Sequence, residues 1–352
     1  VELDPGRGAL KILVTGSAGF IAGYLVQELL ARGHEVVGVD NYSKYGRVEK
    51  SYQRHPGYTF VEGDAKDAAL LAELAGSCDH IVAAAARIGG ISYFHEYAYD
   101  LLAENERIVA STFDAALAAF RKRRLARITV LSSSMVYENA TAFPTPETHL
   151  RESPPPTSTY GFQKLACEYF ARGAWEQYKL PYTICRPFNC VGIGESRALG
   201  GKEVPSGNVR LAMSHVVPDL VQKVLKGQDP LRILGSGEQI RCYTYGGDLA
   251  RGIADAMFHP AAANEDFNLS TPTATSVREL ARAIWEKVHG SGPSAKPFRF
   301  ESDPAYPHDV ARRVPDTRKA RAVLGFEATT GLSEMLDEVV PWIRREIAEG
   351  RI

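Results

Sequence analysis

The sequence predicts an α/β protein: a doubly wound parallel sheet joined to a smaller mixed α/β region. Strand-like apolar runs alternate with helical patterns from residue 10 to about residue 190, the order that builds a parallel sheet covered by helices. The first such unit, LKILVTGSAGFIAGYLVQELLARGHEVVGVDN (10–41), has glycines at its strand-to-helix turn and an acid ending its second strand. Past the glycine-rich stretch 192–207 the alternation becomes irregular. The expected division is therefore 1–190, a dinucleotide-binding domain, and 191–352, mainly substrate-binding, with some segments returning to the first sheet.

Leu10–Val14 is short, apolar and partly β-branched, as a strand buried on both faces requires. In the helical pattern that follows, Ile21, Leu25, Leu29 and Leu30 fall on one side, and Gly33 ends it. His34–Val39 reads as the second strand, closing at Asp40. A unit of ~30 residues with an acid ~20 residues past the glycines is the Rossmann-type dinucleotide fingerprint. Gly16 permits the tight turn, and Gly19 lets the backbone approach a pyrophosphate at the helix N-terminus. Ala22 satisfies the third small position, where close helix–strand packing is the only demand. Asp40 can accept both ribose hydroxyls and would repel a 2′-phosphate, so NAD is expected over NADP.

Residues 42–57 read as a loop with room for a short helix, and Tyr58–Glu62 as a strand leading to Asp64 on the sheet edge where open α/β sheets bind ligands. A helix over 67–75, a strand His80–Ala86, the loop 87–90, a helix Glu96–Phe120 and a strand Arg127–Leu131 follow. A proline-rich loop (138–156) leads to a helix Tyr160–Tyr178 and a strand Tyr182–Arg186. Beyond 207 the expected elements are helices at 214–226, 248–257, Ser276–Val288, 316–323 and 331–349, with strands at Leu231–Leu234, 240–244, Asp266–Leu269 and Phe298–Phe300.

Lys plus Arg number 41 against 42 for Asp plus Glu, so no global field draws the chain to nucleic acid or an anionic membrane. The basic cluster Arg121–Arg124 reads as a solvated helix end. No apolar run reaches the ~18 residues of a spanning helix, and Val1–Ala9 lacks the apolar core of a signal peptide. The cysteines Cys78, Cys167, Cys185, Cys190 and Cys242 are scattered without a CxxC pair. That argues against a zinc site or disulfide framework and for a reducing, cytoplasmic setting.

Tyr160-Gly161-Phe162-Gln163-Lys164 is the second decisive feature. Residues four apart share a helix face, so the Lys164 ammonium can lie near the Tyr160 phenol and favour its phenolate. Tyr160 then becomes a plausible general base for a sugar or alcohol hydroxyl while NAD takes the hydride. Taken alone, such a pair is most often a solvated helix face. Its place after a serine-ended strand of a dinucleotide fold reverses that reading. Ser133, at the end of the preceding strand, could share the substrate proton, although a turn or cap serine would look the same.

With these residues in view, the chain resembles the extended short-chain dehydrogenase/reductases that modify nucleotide sugars. The resemblance spans about Lys11 to Trp342 and is carried by TGSAGFIA (15–22), VVGVDN (36–41), GD (63–64), AAARIGG (84–90), LSSSMVY (131–137), YGFQK (160–164), RPFN (186–189) and RVPDTRKARAVLGF (313–326). It implies that NAD lies against Gly16, Ala18, Gly19, Phe20, Ile21, Asp40, Asn41, Asp64, Ala65, Ala84, Ala86, Asn105, Tyr160 and Lys164. Within that set Asp64 would contact adenine, Asn105 would brace the site from its helix, and Lys164 would hold the nicotinamide ribose. A nucleotide-diphosphate sugar (UDP, GDP or dTDP) would meet Arg87, Gly89, Ser133, Ser134, Asn189, His215, Arg241 and Arg312 or Arg313. The arginines would clamp its phosphates, as a guanidinium fork suits. The resemblance also implies a homodimer, with Leu101–Phe120 and Leu165–Tyr178 forming a four-helix bundle, although ordinary core packing gives the same pattern. It implies no metal.

Departures from the family's subtypes narrow the reaction. The 4,6-dehydratases carry Asp-Glu where this chain has Ser134-Met135, and UDP-glucuronate decarboxylases carry Glu in place of Met135. GDP-mannose 3,5-epimerase and GDP-fucose synthase place an acid/base Cys there, and Met135 cannot transfer protons. The Arg-Ile-Gly-Gly loop and SHVVP nonetheless resemble those last two enzymes. Cys190, beside Asn189, reads as structural. What remains is Tyr160 as base, Ser133 as hydrogen-bonding partner and Lys164 as cation, the minimal set for NAD-dependent C4 epimerisation through a transient 4-keto sugar. The alternatives are 3,5-epimerisation, decarboxylation or 4-keto reduction, and, outside enzymes, a catalytically silent NAD sensor.

Overall fold

The computed structural model describes residues 8–89, 96–122, 124–199, 203–211, 215–304 and 309–352. Seven parallel strands form the central sheet: β1 (Lys11–Thr15), β2 (Glu35–Asp40), β3 (Tyr58–Glu62), β4 (His80–Ala83), β5 (Arg127–Leu131), β6 (Tyr182–Pro187) and β13 (Glu265–Leu269). Their spatial order is β13-β6-β5-β4-β1-β2-β3, so the winding reverses between β1 and β4. That reversal opens a crevice at the carboxyl ends of the strands, where such sheets take ligands. The fold is the doubly wound Rossmann type.

Both faces of the sheet are covered, which explains the unbroken apolar strands: every residue of β5 and β6 is buried. On one face Leu25, Val26 and Leu29 of α1 (Phe20–Ala31) pack with Ile253 and Met257 of α6 (Gly246–Phe258). On the other, Leu71 of α2 (Ala68–Ala75) meets Phe113 and Ala116 of α3 (Ala98–Arg121) and Ala171 of α4 (Thr159–Tyr178). A third apolar cluster joins α5 (Val216–Leu225), α7 (Val277–His289) and α9 (Leu332–Ala348) around Trp285, Leu336 and Ile343. Arg318–Leu324 is α8, and the pair Leu231–Leu234 and Phe300–Asp303 runs parallel, as β10 and β15.

Several expected boundaries shift. The strand predicted over His80–Ala86 ends at Ala83, because Thr15 Oγ1 draws in the N–H groups of Ala84 and Ala85 (both 3.1 Å) and turns the chain out of the sheet. The single strand expected over 240–244 is two short ones, Ile240–Arg241 (β11) and Thr244–Tyr245 (β12). The strand predicted at Phe298–Phe300 is displaced to Phe300–Asp303, where β10 supplies its partners. Gly173 lies inside α4 with open space where a Cβ would stand, so packing does not require glycine there. The helix expected from Glu96 begins at Ala98, and the loop residue Gly90 lies outside the described residues. No helix among the described residues is long and apolar enough to cross a membrane.

Candidate active site

One cavity of about 1340 Å³ runs along the carboxyl edge of the sheet. Its first wall is the turn from β1 into α1. Gly16 has φ +71°, and a Cβ there would sit 2.8 Å from Ala85 Cα, so only glycine fits. At Gly19 a Cβ would lie 2.9 Å from the Gly16 carbonyl oxygen. No side chain caps α1, which leaves its first-turn N–H groups for an anion entering the cavity at Gly19, Phe20 and Ile21. Asp40 stands at the end of β2 with its carboxylate fixed: Oδ2 accepts from the Ala18 N–H (3.1 Å) and Oδ1 from the Tyr42 N–H (2.8 Å). Burial pushes this carboxyl above its usual range, against the pull of those two donors. Each oxygen keeps a lone pair for a ribose diol.

Asn41 and Asp64 line the same end and are tied together, Asn41 Nδ2 donating to Asp64 Oδ2 at 3.2 Å. Ala65, Ala84 and Ala86 also face the cavity. Ala18 and Asn105 do not line it and act one step back. Ala18 orients Asp40, and buried Asn105 clasps the backbone of Arg87, accepting from its N–H (2.6 Å) and donating to its carbonyl (2.9 Å). That clasp holds the loop carrying Ala86, Arg87 and Gly89 against the cavity. The uncapped helix start, the glycine cradle and the diol-ready acid together fit a dinucleotide.

The second wall is the end of β5 and the first turns of α4. Ser158 caps that helix, its Oγ accepting from the Gly161 N–H at 3.0 Å. The cap fixes the rotation that turns Tyr160 and Lys164, both buried, to the cavity side. Lys164 Nζ donates to the Leu131 carbonyl (2.9 Å), which ties the helix to the strand that carries Ser132–Ser134. Ser133 caps the 3₁₀ turn Ser134–Tyr137, accepting from the Met135 N–H at 3.2 Å. It is the cap serine that the sequence allowed for, and it also faces the cavity, as does Ser134. Glu138 lies near but is engaged by the N–H and hydroxyl of Ser158, both at 2.9 Å.

The second wall continues in the groups expected to meet a diphosphate sugar. Asn189, at φ +33°, donates from Nδ2 to the Cys242 carbonyl at 3.3 Å. Arg241 is held by Asp309, Nη2 to Oδ1 at 3.0 Å, and burial pushes its pKa down. His215 faces the cavity with Nδ1 against the Glu195 carboxylate, a partner the sequence did not announce; Ser214 before it lies outside the described residues. Of the two neighbouring arginines, Arg313 lines the cavity, whereas Arg312 is exposed and lies over the Phe143 ring. Of the two, which the sequence left open, Arg313 is the one turned to the cavity: Ile240 bridges to Arg312 through the backbone, a strand-like contact after which side chains alternate, so neighbours face opposite ways.

Sequence reading also missed what lies beneath the second wall. Glu168, on the face of Lys164 one turn further along α4, is fully buried and accepts from Ser132 Oγ (2.6 Å) and from Arg186 Nε (2.8 Å) and Nη2 (2.7 Å). Arg186 in turn reaches Asp266 (2.6 Å) and the Tyr137 hydroxyl. The RPFN motif signals Arg186, but only the packed structure brings it to Glu168. Among the described residues no group of three or more His, Cys, Asp or Glu is placed to hold a metal, and all five cysteines are unpaired.

Residues 12–270 match the model of the NAD dependent epimerase/dehydratase family. The chain is 30% identical to the UDP-glucose 4-epimerase of Mycolicibacterium smegmatis over 341 residues, covering 96% of this chain and 99% of that protein. It is 26% identical to UDP-glucuronic acid decarboxylase 1 of Xenopus tropicalis, covering 96% of this chain and 73% of that one. Among solved structures it resembles a UDP-glucose 4-epimerase of Thermotoga maritima with UDP-glucose, at 27% identity and a TM-score of 0.79, over 96% of this chain and 100% of that one.

Proposed function

Since the chain belongs to the NAD-dependent epimerase/dehydratase family, we propose that it inverts a nucleotide-diphosphate sugar at C4. Its cofactor is NAD, which when bound takes the hydride from C4 and returns it to the opposite face. Tyr160 removes the proton from the C4 hydroxyl and gives it back after the sugar has turned. Ser133 donates a hydrogen bond to the C4 oxygen and stabilises the charge that develops there. Lys164 brings its positive charge to the same side of the cavity as Tyr160 and anchors the ribose. On the cofactor side Asp40 takes the adenosine ribose hydroxyls, and the Gly16–Ile21 turn takes the pyrophosphate. Asn189 and Arg241 hold the diphosphate of the sugar nucleotide.

One observation carries the choice of reaction. Tyr160, Lys164 and Ser133 face one cavity, and the two residues after Ser133 on that wall, Ser134 and Met135, are not acids. Elimination of water needs an acid/base pair there, and a hydroxyl with a thioether does not supply one. The homology to a UDP-glucose 4-epimerase at 30% identity supports the same reading. The homodimer belongs to this proposal too, supported by Tyr99 and Tyr169, which stand 77% and 63% exposed on α3 and α4. The test is incubation with UDP-, GDP- and dTDP-sugars followed by chromatography. A C4 epimer formed without net NADH consumption is expected; loss of water or CO₂ with no epimer refutes the assignment.

A further inference from the structure

The segment that carries Ser133 is held on both sides by one buried ion pair. Ahead of Ser133, Ser132 Oγ donates to Glu168 Oε1 at 2.6 Å. Behind it, the Tyr137 hydroxyl accepts from Arg186 Nη1 at 2.5 Å, and the guanidinium also lies over the Tyr137 ring. Glu168 and Arg186 are joined by two bonds, Nε to Oε1 (2.8 Å) and Nη2 to Oε2 (2.7 Å), and neither side chain has exposed surface. Glu168 stands one turn beyond Lys164 and two beyond Tyr160 on α4. The carboxylate that fixes Ser132 therefore belongs to the helix that carries the other two groups. Tyr137 is fixed from its far side as well: its hydroxyl donates to Asn268 Oδ1 at 3.0 Å, and Asn268 Nδ2 donates to the Thr145 carbonyl, also at 3.0 Å.

An ion pair this deep returns little net stability over apolar packing of the same volume. What it supplies is geometry. A guanidinium forked onto a carboxylate admits one orientation, and the contacts made by the rest of each group inherit it. The Ser133 hydroxyl, which accepts from the Met135 N–H at 3.2 Å, is placed only as well as the turn it caps. Displacing a reacting group by about 1 Å can cost roughly 100-fold in rate. We propose that Glu168 and Arg186 are positioning residues for the proton-transfer step: through Ser132 and Tyr137 they set the Ser133 hydroxyl relative to Tyr160 and Lys164. This rests on the reading of Ser133 and Tyr160 as the proton-handling groups, and not on which carbon of the sugar is inverted.

Two substitutions cut the two links and leave the ion pair in place: Ser132→Ala and Tyr137→Phe. Each is made in the NAD-loaded enzyme and assayed on the sugar nucleotide that the parent turns over best. Each should lower kcat about 10-fold, with KM and NAD affinity within about 2-fold of the parent. Repeated in a Ser133→Ala background, both should lower kcat no further, since the group they place is gone. Glu168→Gln should show the same loss and the same silence in that background; where it does not fold, the two link variants decide alone. A lowered melting temperature with kcat unchanged, or losses that add in full to that of Ser133→Ala, overturns the proposal and leaves the pair purely structural. The product made by the parent tests the C4 assignment separately. A C4 epimer with additive losses keeps C4 inversion and removes the positioning role; coupled losses with loss of water or CO₂ as the reaction do the reverse.

Discussion

Along the Gly16–Asp40 wall the groups facing the cavity are held by partners nearby in the chain: Asp40 is fixed from Ala18 and Tyr42, 22 and 2 residues away. On the opposite wall Asn189 is held from Cys242, Arg241 from Asp309 and Arg313 against Met135, at separations of 53, 68 and 178 residues. The first wall is a backbone device that forms with its own βαβ unit. The second exists only once α4, the 240s and the 310s have closed on one another. A substitution on the first wall therefore changes one ligand contact, whereas one beneath the second disturbs everything that must meet there.

The largest effect should come where the two walls converge. Tyr160→Phe is expected to lower kcat about 10³-fold while leaving NAD binding and the melting temperature near those of the parent; product chromatography alongside cofactor titration measures both. If most of the turnover survives, the phenol is not the base and the contrast loses its catalytic meaning. Next comes the network under the second wall. Glu168→Gln removes the negative charge and one of the two acceptor oxygens that Arg186 meets on Glu168, leaving the buried guanidinium with Asp266 as its one carboxylate, and urea unfolding should record a loss of about 3 kcal/mol. A loss below ~1 kcal/mol would mean that the wall does not depend on that pair.

A smaller and more local result is expected on the cofactor wall. Asp40→Asn should weaken NAD binding by about 10- to 100-fold, matching the ~1.5–3 kcal/mol of a hydrogen bond to a charged group, with little change in stability. Fluorescence titration with NAD measures the first and thermal unfolding the second. A stability loss as large as that of Glu168→Gln would erase the distinction between the walls. The smallest effect per step is one of pH. His80, the first residue of β4, is fully buried with Nε2 on Thr129 Oγ1 (2.8 Å), and burial pushes it down to about 3 from an ordinary 6.5. The unfolded chain then takes up this proton first. The stability His80 contributes is full above pH 6.5 and drains as pH falls towards 3, at up to ~1.4 kcal/mol per unit. Urea midpoints over that window should fall less steeply in His80→Gln, and an unchanged slope would remove His80 from the acid response.

The two walls also differ in how far they could be read from the chain. The turn at Gly16, the acid at Asp40 and the Tyr160–Lys164 spacing were legible because each is set by a local repeat: a strand, one helical turn, a tight loop. The end of β4 at Ala83 was not, because the hydroxyl that turns the chain belongs to Thr15, 69 residues earlier. Arg312 and Arg313 look equivalent in sequence, and only the bridge from Ile240 to Arg312 decides which of them reaches the cavity. Ser132, Glu168 and Arg186 carry no shared spacing at all. By itself, then, the sequence determined the doubly wound sheet, the glycine turn at Gly16 and the placing of Tyr160 and Lys164 on one helix face, since short-range geometry fixes these. Tertiary structure alone decided which charges face the cavity and which are spent on one another, because that depends on burial and on partners far apart along the chain.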